Sequence, residues 1–252
     1  MRSLLRRTAA VALAALLSIG MWAAATAPSE ASTRPAFNKA LVITHAAFYE
    51  PDAMTQSQIK SFIQKKGARC SSNSSRRCLK DITFPAVTLT SGQKGKGCKT
   101  VRITKGSRAW TVIEKVAKAC GISPKVILTT IQKEQGGVTN ALTTAKWNKL
   151  MGMGCPDGGS CSSRYRGLAN QIYYGADHLK AYRTWTGYAA INSWKYKKSY
   201  RSLDGHSFVI KNGATAALYT YTPHVSGQRL FHNIMESFFP GTTSRNYRPA
   251  TK

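Results

Sequence analysis

Ser123-Pro124-Lys125-Val126-Ile127-Leu128-Thr129-Thr130-Ile131-Gln132-Lys133-Glu134-Gln135-Gly136-Gly137 carries the start, the stop and the one oddity of a helix. Ser123 suits an N-cap, and Pro124 suits the first helical position, where a missing N–H costs nothing. Gly136 and Gly137 supply a left-handed stop. At about 100° per residue, Glu134 lies seven steps from Ile127 and only about 20° away around the helix. It therefore shares the apolar face of Ile127 and Ile131. Desolvation disfavours a charged carboxylate there, and so does the negative end of the helix dipole. Both effects favour the protonated form, which a general acid needs; the alternative is a helix-end residue that reaches solvent or pairs with a Lys.

Outward from this stretch the pattern stays helical. Thr111-Val112-Ile113-Glu114 reads as a capping box opening a helix through Ile113, Val116 and Ala117 to Gly121, so the two helices form an αα-hairpin. Thr55-Gln56-Ser57-Gln58 is a second capping box before Ile59, Phe62 and Ile63, with Gly67 as the stop. Residues 141–150, 167–182, 214–219 and 230–239 read as further helices, the second with Leu168, Ile172, Tyr173, Ala176 and Leu179 at core spacing. The short run Ala40-Leu41-Val42-Ile43 fits either a strand or a helical turn. Residues 69–104 are rich in Ser, Gly, Lys and Cys, the composition of a disulfide-tied extension with little regular structure. Its cluster Lys94, Lys96, Lys99, Arg102, Lys105 and Arg108 reads as a solvated loop, with a polyanion patch as the alternative. The expected fold is mainly α, a helical core with a disulfide-tied N-terminal extension. Loops bearing Trp185, Tyr188, Trp194, Tyr196 and Tyr200 add aromatic surface.

The first residues have the form of a secretory signal: Arg2, Arg6 and Arg7, an apolar run over residues 11–25, and Ser29-Glu30-Ala31 as a small-x-small cleavage site. Cleavage there leaves 221 residues and removes three Arg and one Glu, so the net charge falls from +27 to +25. No later apolar run is long enough to span a bilayer. The expected product is a secreted monomer, extracellular or wall-associated, whose charge suits anionic wall polymers or acidic glycans. Export and the lack of a recognised motif argue against a specific nucleic-acid partner. Six cysteines in an exported chain imply three disulfides among fifteen connectivities. Cys155 and Cys161 bracket the turn sequence Pro156-Asp157-Gly158-Gly159-Ser160 and should pair, with Cys70–Cys78 and Cys98–Cys120 favoured for the rest. There is no C-x-x-C pair and no H-E-x-x-H, so no metal is expected, nor any cofactor.

The nine acids of the shortened chain make the search for chemistry short. Glu50, Asp52 and Asp81 precede the helical core, Glu114 is explained by its capping box, Asp177 by an ion pair with Lys180, and Glu236 by the last helix. Asp157 in the Cys155–Cys161 turn is the best second carboxylate, although an Asx-turn role explains it as well. Tyr165, Tyr173, Tyr219 and Tyr221 are candidate cleft residues because aromatic rings stack on sugars, and Gln135 beside the acid joins them as a substrate contact. His45, His178, His206, His224 and His232 are scattered, and neither a Cys–His pair nor a Ser–His–Asp triad has support.

Four motifs carry a resemblance. Gln132-Lys133-Glu134-Gln135-Gly136, Met151-Gly152-Met153-Gly154-Cys155-Pro156-Asp157, Asn170-Gln171-Ile172-Tyr173 and Tyr219-Thr220-Tyr221-Thr222-Pro223 resemble secreted bacterial hemagglutinin-like proteins, which are similar to lysozyme-fold cell-wall enzymes. The match covers most of residues 55–241; Gly137 and Met153 differ from the family pattern. More distantly, a helix ending in Glu before a small-residue turn resembles peptidoglycan glucosaminidases and lytic transglycosylases. The resemblance implies a lysozyme-like helical domain over residues 107–241, preceded by a signal peptide (1–31) and an extension (32–106) and followed by a tail (242–252). It implies a general-acid role for Glu134 and peptidoglycan or another cell-wall glycan as substrate. A mechanism with one acid fits the scarcity of carboxylates, and so does a glycan- or anionic-surface-binding adhesin that cleaves nothing.

Overall fold

The computed structural model describes residues 34–93, 95, 97–156, 159–182 and 197–249. The signal sequence, Lys94, Lys96, Asp157, Trp185, Tyr188, Trp194 and Tyr196 therefore lie outside the described residues. Eight α-helices run in order among them: α1 (His45–Phe48), α2 (Gln56–Lys66), α3 (Ala109–Cys120), α4 (Pro124–Gln135), α5 (Thr144–Trp147), α6 (Leu168–Ala181), α7 (Gly213–Tyr221) and α8 (Val225–Phe238). Strands are few and short, so the fold is mainly α. At the centre stands α4, in which Val126, Ile127, Leu128, Thr129, Thr130 and Ile131 are all buried in succession. A helix apolar or covered all round belongs inside a core. It packs on α3 and α8, while α3 also packs on α2 and α6, and α6 on α7. One hydrophobic cluster runs through these elements from Val42 to Met235, with Phe48, Phe84, Tyr173, Tyr219 and Phe231 as its large side chains.

Local signals set the expected helix ends where they are local. Thr55 and Gln58 form the reciprocal capping box of α2, the hydroxyl accepting Gln58 N–H and the amide oxygen accepting Thr55 N–H at 2.8 Å. Gly136 stops α4 with φ +66, and its N–H donates to Gln132 O at 2.8 Å. Ser123 is the N-cap residue of α4, but its buried hydroxyl makes no cap bond. Distant contacts override the rest. The Thr111–Glu114 capping box does not form, because α3 begins at Ala109 directly after the strand Ser107–Arg108. Glu114 instead meets Lys118 at 2.9 Å and accepts from Gln56 Nε2 at 3.0 Å. The helix expected over residues 141–150 shrinks to Thr144–Trp147, since Leu142 is taken by a two-way backbone bridge with Arg77 at 2.8 and 2.9 Å. Residues 40–43 are neither strand nor helix. Their backbone docks on the start of α7, Val42 N donating to Thr215 Oγ1 and Ile43 O accepting from Asn212 Nδ2.

The extension holds more structure than its composition suggests. β1 (Thr83–Phe84) pairs antiparallel with β4 (Ser107–Arg108), and β2 (Val87–Leu89) with β3 (Val101–Ile103) in the register Thr88 opposite Arg102. Phe84, Leu89, Val101 and Ile103 point into the common core. The three disulfides are those expected, Cys70–Cys78, Cys98–Cys120 and Cys155–Cys161. Asp177 corrects its sequence reading. It is fully buried rather than paired at the surface with Lys180, and it accepts from Ser91 Oγ at 2.9 Å and Cys98 N–H at 2.6 Å, tying the extension to α6. Glu236, also buried, accepts from Gly241 N–H, Thr243 N–H and the Thr243 hydroxyl, fixing the turn after α8.

Asp204, an acid without an assigned role in the sequence, sits between β5 (Ser199–Arg201) and β6 (Ser207–Val209) and caps α8 from outside. Its two oxygens accept Val225 N–H at 2.9 Å and Ser226 N–H at 2.8 Å. This cap explains why α8 begins at Val225, ahead of the expected residue 230. Burial alone would raise the Asp204 pKa, but bonds from Ser202, Ser226 and Val225 outweigh it and hold the carboxyl well below the carboxylate range. A group depressed in the folded state adds stability that is present above its unfolded pKa of about 3.9 and is lost as pH falls below it. Asp204→Ala should therefore cost about 0.5–2 kcal/mol at pH 7, measured by urea unfolding, and the difference from wild type should narrow as the pH is lowered through the acid range.

Candidate active site

Glu134 leaves the core in the last turn of α4, just before the left-handed Gly136 turns the chain aside. Its surroundings differ from the apolar face expected of it. The carboxylate Oε1 lies 2.8 Å from Lys133 Nζ, and the two side chains are 22% and 8% exposed. Lys133 also donates to Thr222 Oγ1 at 2.9 Å, which bridges the ends of α4 and α7. Oε2 faces the backbone of Gly152, where a Cβ would stand only 2.8 Å away. Gly152 has φ +72, so a side chain there meets both a strained backbone and the carboxylate. The glycine at 137 has a packing reason: a Cβ on it would come within 2.7 Å of Leu150 Cδ1 and 3.0 Å of Ile131 Cγ2.

The Met151–Gly154 turn forms the wall opposite Glu134, and Gln171 holds it. Only 1% exposed, Gln171 accepts from Met151 N–H and Met153 N–H at 3.0 and 3.1 Å. Its amide donates to Met153 O at 2.9 Å and Tyr165 O at 2.8 Å. One side chain thus satisfies three backbone groups of an irregular turn that has no ladder of its own, and a fourth at Tyr165. The Asn170-Gln171-Ile172-Tyr173 motif contained this residue, but nothing in its spacing revealed which backbone it serves. A cleft of about 260 Å³ opens along the turn, lined by Gly152, Met153, Pro156, Tyr182 and Tyr221 among others. Tyr221 donates to Met151 O at 2.8 Å. Burial, with the nearby Glu134 charge and Tyr182 adding to it, pushes the Tyr221 phenol well above its ordinary pKa, so it remains a neutral donor.

The remaining candidates divide. Tyr221 lines the cleft along the turn, close enough to Glu134 to feel its charge. Tyr165 packs its ring against the backbone of Gly154 and stands 5.4 Å from the Tyr174 ring and 5.5 Å from His178, backing the turn. Tyr173 and Tyr219 are fully buried, so both are core residues rather than cleft residues. The Tyr173 hydroxyl donates to Lys99 O at 3.1 Å, and burial, then the charge of Asp177 and Tyr174, pushes its phenol up to about 12. The Tyr219 ring lies 5.0 Å from Phe208. Gln135 is half-buried beside Glu134. Asp157 lies outside the described residues, and among these no other carboxylate contacts the cleft turn. All six cysteines are in disulfides, and no group of three His, Cys, Asp or Glu side chains is arranged to hold a metal among the described residues. Chemically the site offers one partly exposed carboxylate, one neutral phenol and a glycine wall that lets a ligand approach the backbone.

Replacing Gln171 by Leu removes all four bonds while roughly keeping volume. Unsatisfied buried groups cost about 1–3 kcal/mol each when they stay buried, so we expect a loss of at least that size in chemical denaturation. The Met151 and Met153 amides should also exchange with deuterium faster than in wild type. No protein-family model, curated protein or solved structure matches this chain.

Proposed function

We propose that this protein is an exported enzyme that cleaves a cell-wall glycan, as a peptidoglycan hydrolase or a lytic transglycosylase, with Glu134 as its general acid. The observation that carries this reading is the meeting of Glu134 Oε2 with the Gly152 backbone beside a tyrosine-lined cleft. A carboxylate there reaches a bound glycosidic oxygen from one side while Tyr221 stays protonated nearby. Glu134 delivers its proton to that oxygen as the bond to the anomeric carbon breaks. Water, or a hydroxyl of the sugar itself, then closes on the anomeric carbon and returns a proton to the Glu134 carboxylate. Motif resemblance supports the same substrate class, and three disulfides suit an oxidising compartment. No helix among the described residues is long and apolar enough to cross a membrane.

One observation favours a second reading, a lysozyme-like scaffold that binds glycans or anionic surfaces without cutting them. The Glu134 carboxylate already has an ion-pair partner in Lys133, and no second carboxylate stands by it among the described residues. Glu134→Gln separates the two. On purified peptidoglycan the variant should lose about 10²- to 10⁴-fold in product formation if Glu134 is the acid. Mass spectrometry of the digest identifies the reaction, reducing ends for hydrolysis and anhydro-sugars for lytic cleavage. Equal product from wild type and variant would sink the catalytic assignment, and binding without product from either would establish the scaffold reading.

A further inference from the structure

A hollow of about 750 Å³ on the described surface does not involve Glu134. It lies where the segment after residue 34 meets α8 and the turn beyond it. Phe37, Lys39, Arg229, Thr243, Ser244 and Arg245 are among its walls, and no acid lines it. The charge around it is one-sided: residues 34–41 and 225–249 carry Arg34, Lys39, Arg229, Arg245 and Arg248 against a single carboxylate, Glu236. That carboxylate is only 2% exposed and already accepts three hydrogen bonds from Gly241 and Thr243. It spends its charge holding rigid the turn that presents Ser244 and Arg245. Neither Lys39, Arg229 nor Arg245 has a carboxylate partner among the described residues.

We propose that this groove binds a phosphodiester-linked anionic polymer, at a site sharing no residue with the Glu134 cleft. Three features select the ligand. The Arg229 guanidinium is set over the Phe37 ring, 4.6 Å from its centroid, so one cation is positioned before anything binds. Two of the three lining cations are arginines, whose forked donors grip phosphate oxygens in pairs. Lys39, Arg229 and Arg245 also arrive from three separate segments, and a tetrahedral phosphate presents oxygens to several walls at once, whereas a planar carboxylate presents one edge. An open groove with hydroxyl and amide groups from Ser244 and Asn38 in its wall suits a polyol repeat running through it.

The probe is soluble polyglycerol phosphate, titrated calorimetrically into the purified protein at two salt concentrations. Lys39→Gln/Arg229→Gln/Arg245→Gln should lose about tenfold or more in affinity, since each lost partner is a charge-assisted hydrogen bond, and its binding should respond less to salt. The control, Lys65→Gln/Lys105→Gln/Lys146→Gln, removes the same charge from exposed positions elsewhere and should change affinity little. Equal losses in both triples would show attraction to overall charge rather than to a groove, and would overturn the proposal. So would matched binding of polygalacturonate, or tighter binding of a single-stranded oligonucleotide. Because Arg229 packs on Phe37, Lys39→Gln/Arg245→Gln, which leaves that contact intact, should still lose more than the control. Glu134→Gln should bind the polymer as wild type does, so this result and that of the glycan-cleavage assay fail independently.

Discussion

A helix that is covered on every side can carry polar chemistry only where it leaves the core. That constraint shapes this molecule. From Val126 to Ile131, α4 offers no residue to solvent, so its backbone satisfies itself and its side chains pack. Its last turn must then surface, because the final carbonyls lack intrahelical partners. Gly136 manages the exit by adopting a conformation that costs other residues a Cβ clash. Gln132 secures the chain beyond it, accepting Val138 N–H and Thr139 N–H. Lys133 and Glu134 emerge together at this point and are drawn to each other and to Thr222. Neighbours in sequence do not face one another within a regular helix, so the contact belongs to the helix end.

The wall facing Glu134 has no regular structure to steady it, and the fold compensates with side chains. Gln171 does for the Met151–Gly154 turn what a neighbouring strand does elsewhere, and Cys155–Cys161 closes the segment that follows. The same tactic appears where the extension meets α6. There Asp177 takes the Cys98 amide, Tyr173 takes the carbonyl of Lys99, and Cys98 is bonded to Cys120 at the end of α3. A disulfide constrains the unfolded chain, whereas the buried polar contacts choose among the compact arrangements left open. Both are present at the same residue.

What the sequence revealed and what it hid divide along this line. The limits of α4, the capping box of α2, the body of α6 and the Cys155–Cys161 bridge depend on residues close together in the chain and were legible, whereas Cys98–Cys120, 22 residues apart, was only favoured among several pairings. The start of α8 depends on Asp204, more than a turn of chain away, and the loss of helix before Thr144 depends on Arg77. Neither leaves a mark in local spacing. Tyrosines are ambiguous for a chemical reason: the ring favours burial and the hydroxyl tolerates either environment. Tyr173 and Tyr219 went to the core, while Tyr221, from the same short motif as Tyr219, stands at the cleft. Glu134 was legible in the last turn of α4, with a lysine pair as one expectation for it, but that the partner is its own neighbour Lys133 was hidden because adjacent residues do not ordinarily meet.

The way the acids are used gives Glu134 its distinction. Asp177, Asp204 and Glu236 each accept backbone N–H groups, Glu50 accepts from the Tyr247 hydroxyl and Asp81 from Ser72. Glu114 is paired along its own helix. These carboxylates have become internal fastenings, and the ion pairs Lys118–Glu114 and Lys133–Glu134 each take up one cation. With 37 Lys and Arg against 10 Asp and Glu, the chain keeps a large cationic excess whose long-range field draws anions towards the molecule. Glu134 stands apart. Among the described residues it accepts no backbone N–H, it keeps part of its side chain in solvent, and the chain opposite it is a glycine whose missing Cβ leaves room for the carboxylate. Lys133, itself bonded to Thr222, holds that carboxylate at the end of α4 with its second oxygen turned to the glycine, the side from which the proposed glycan would meet it.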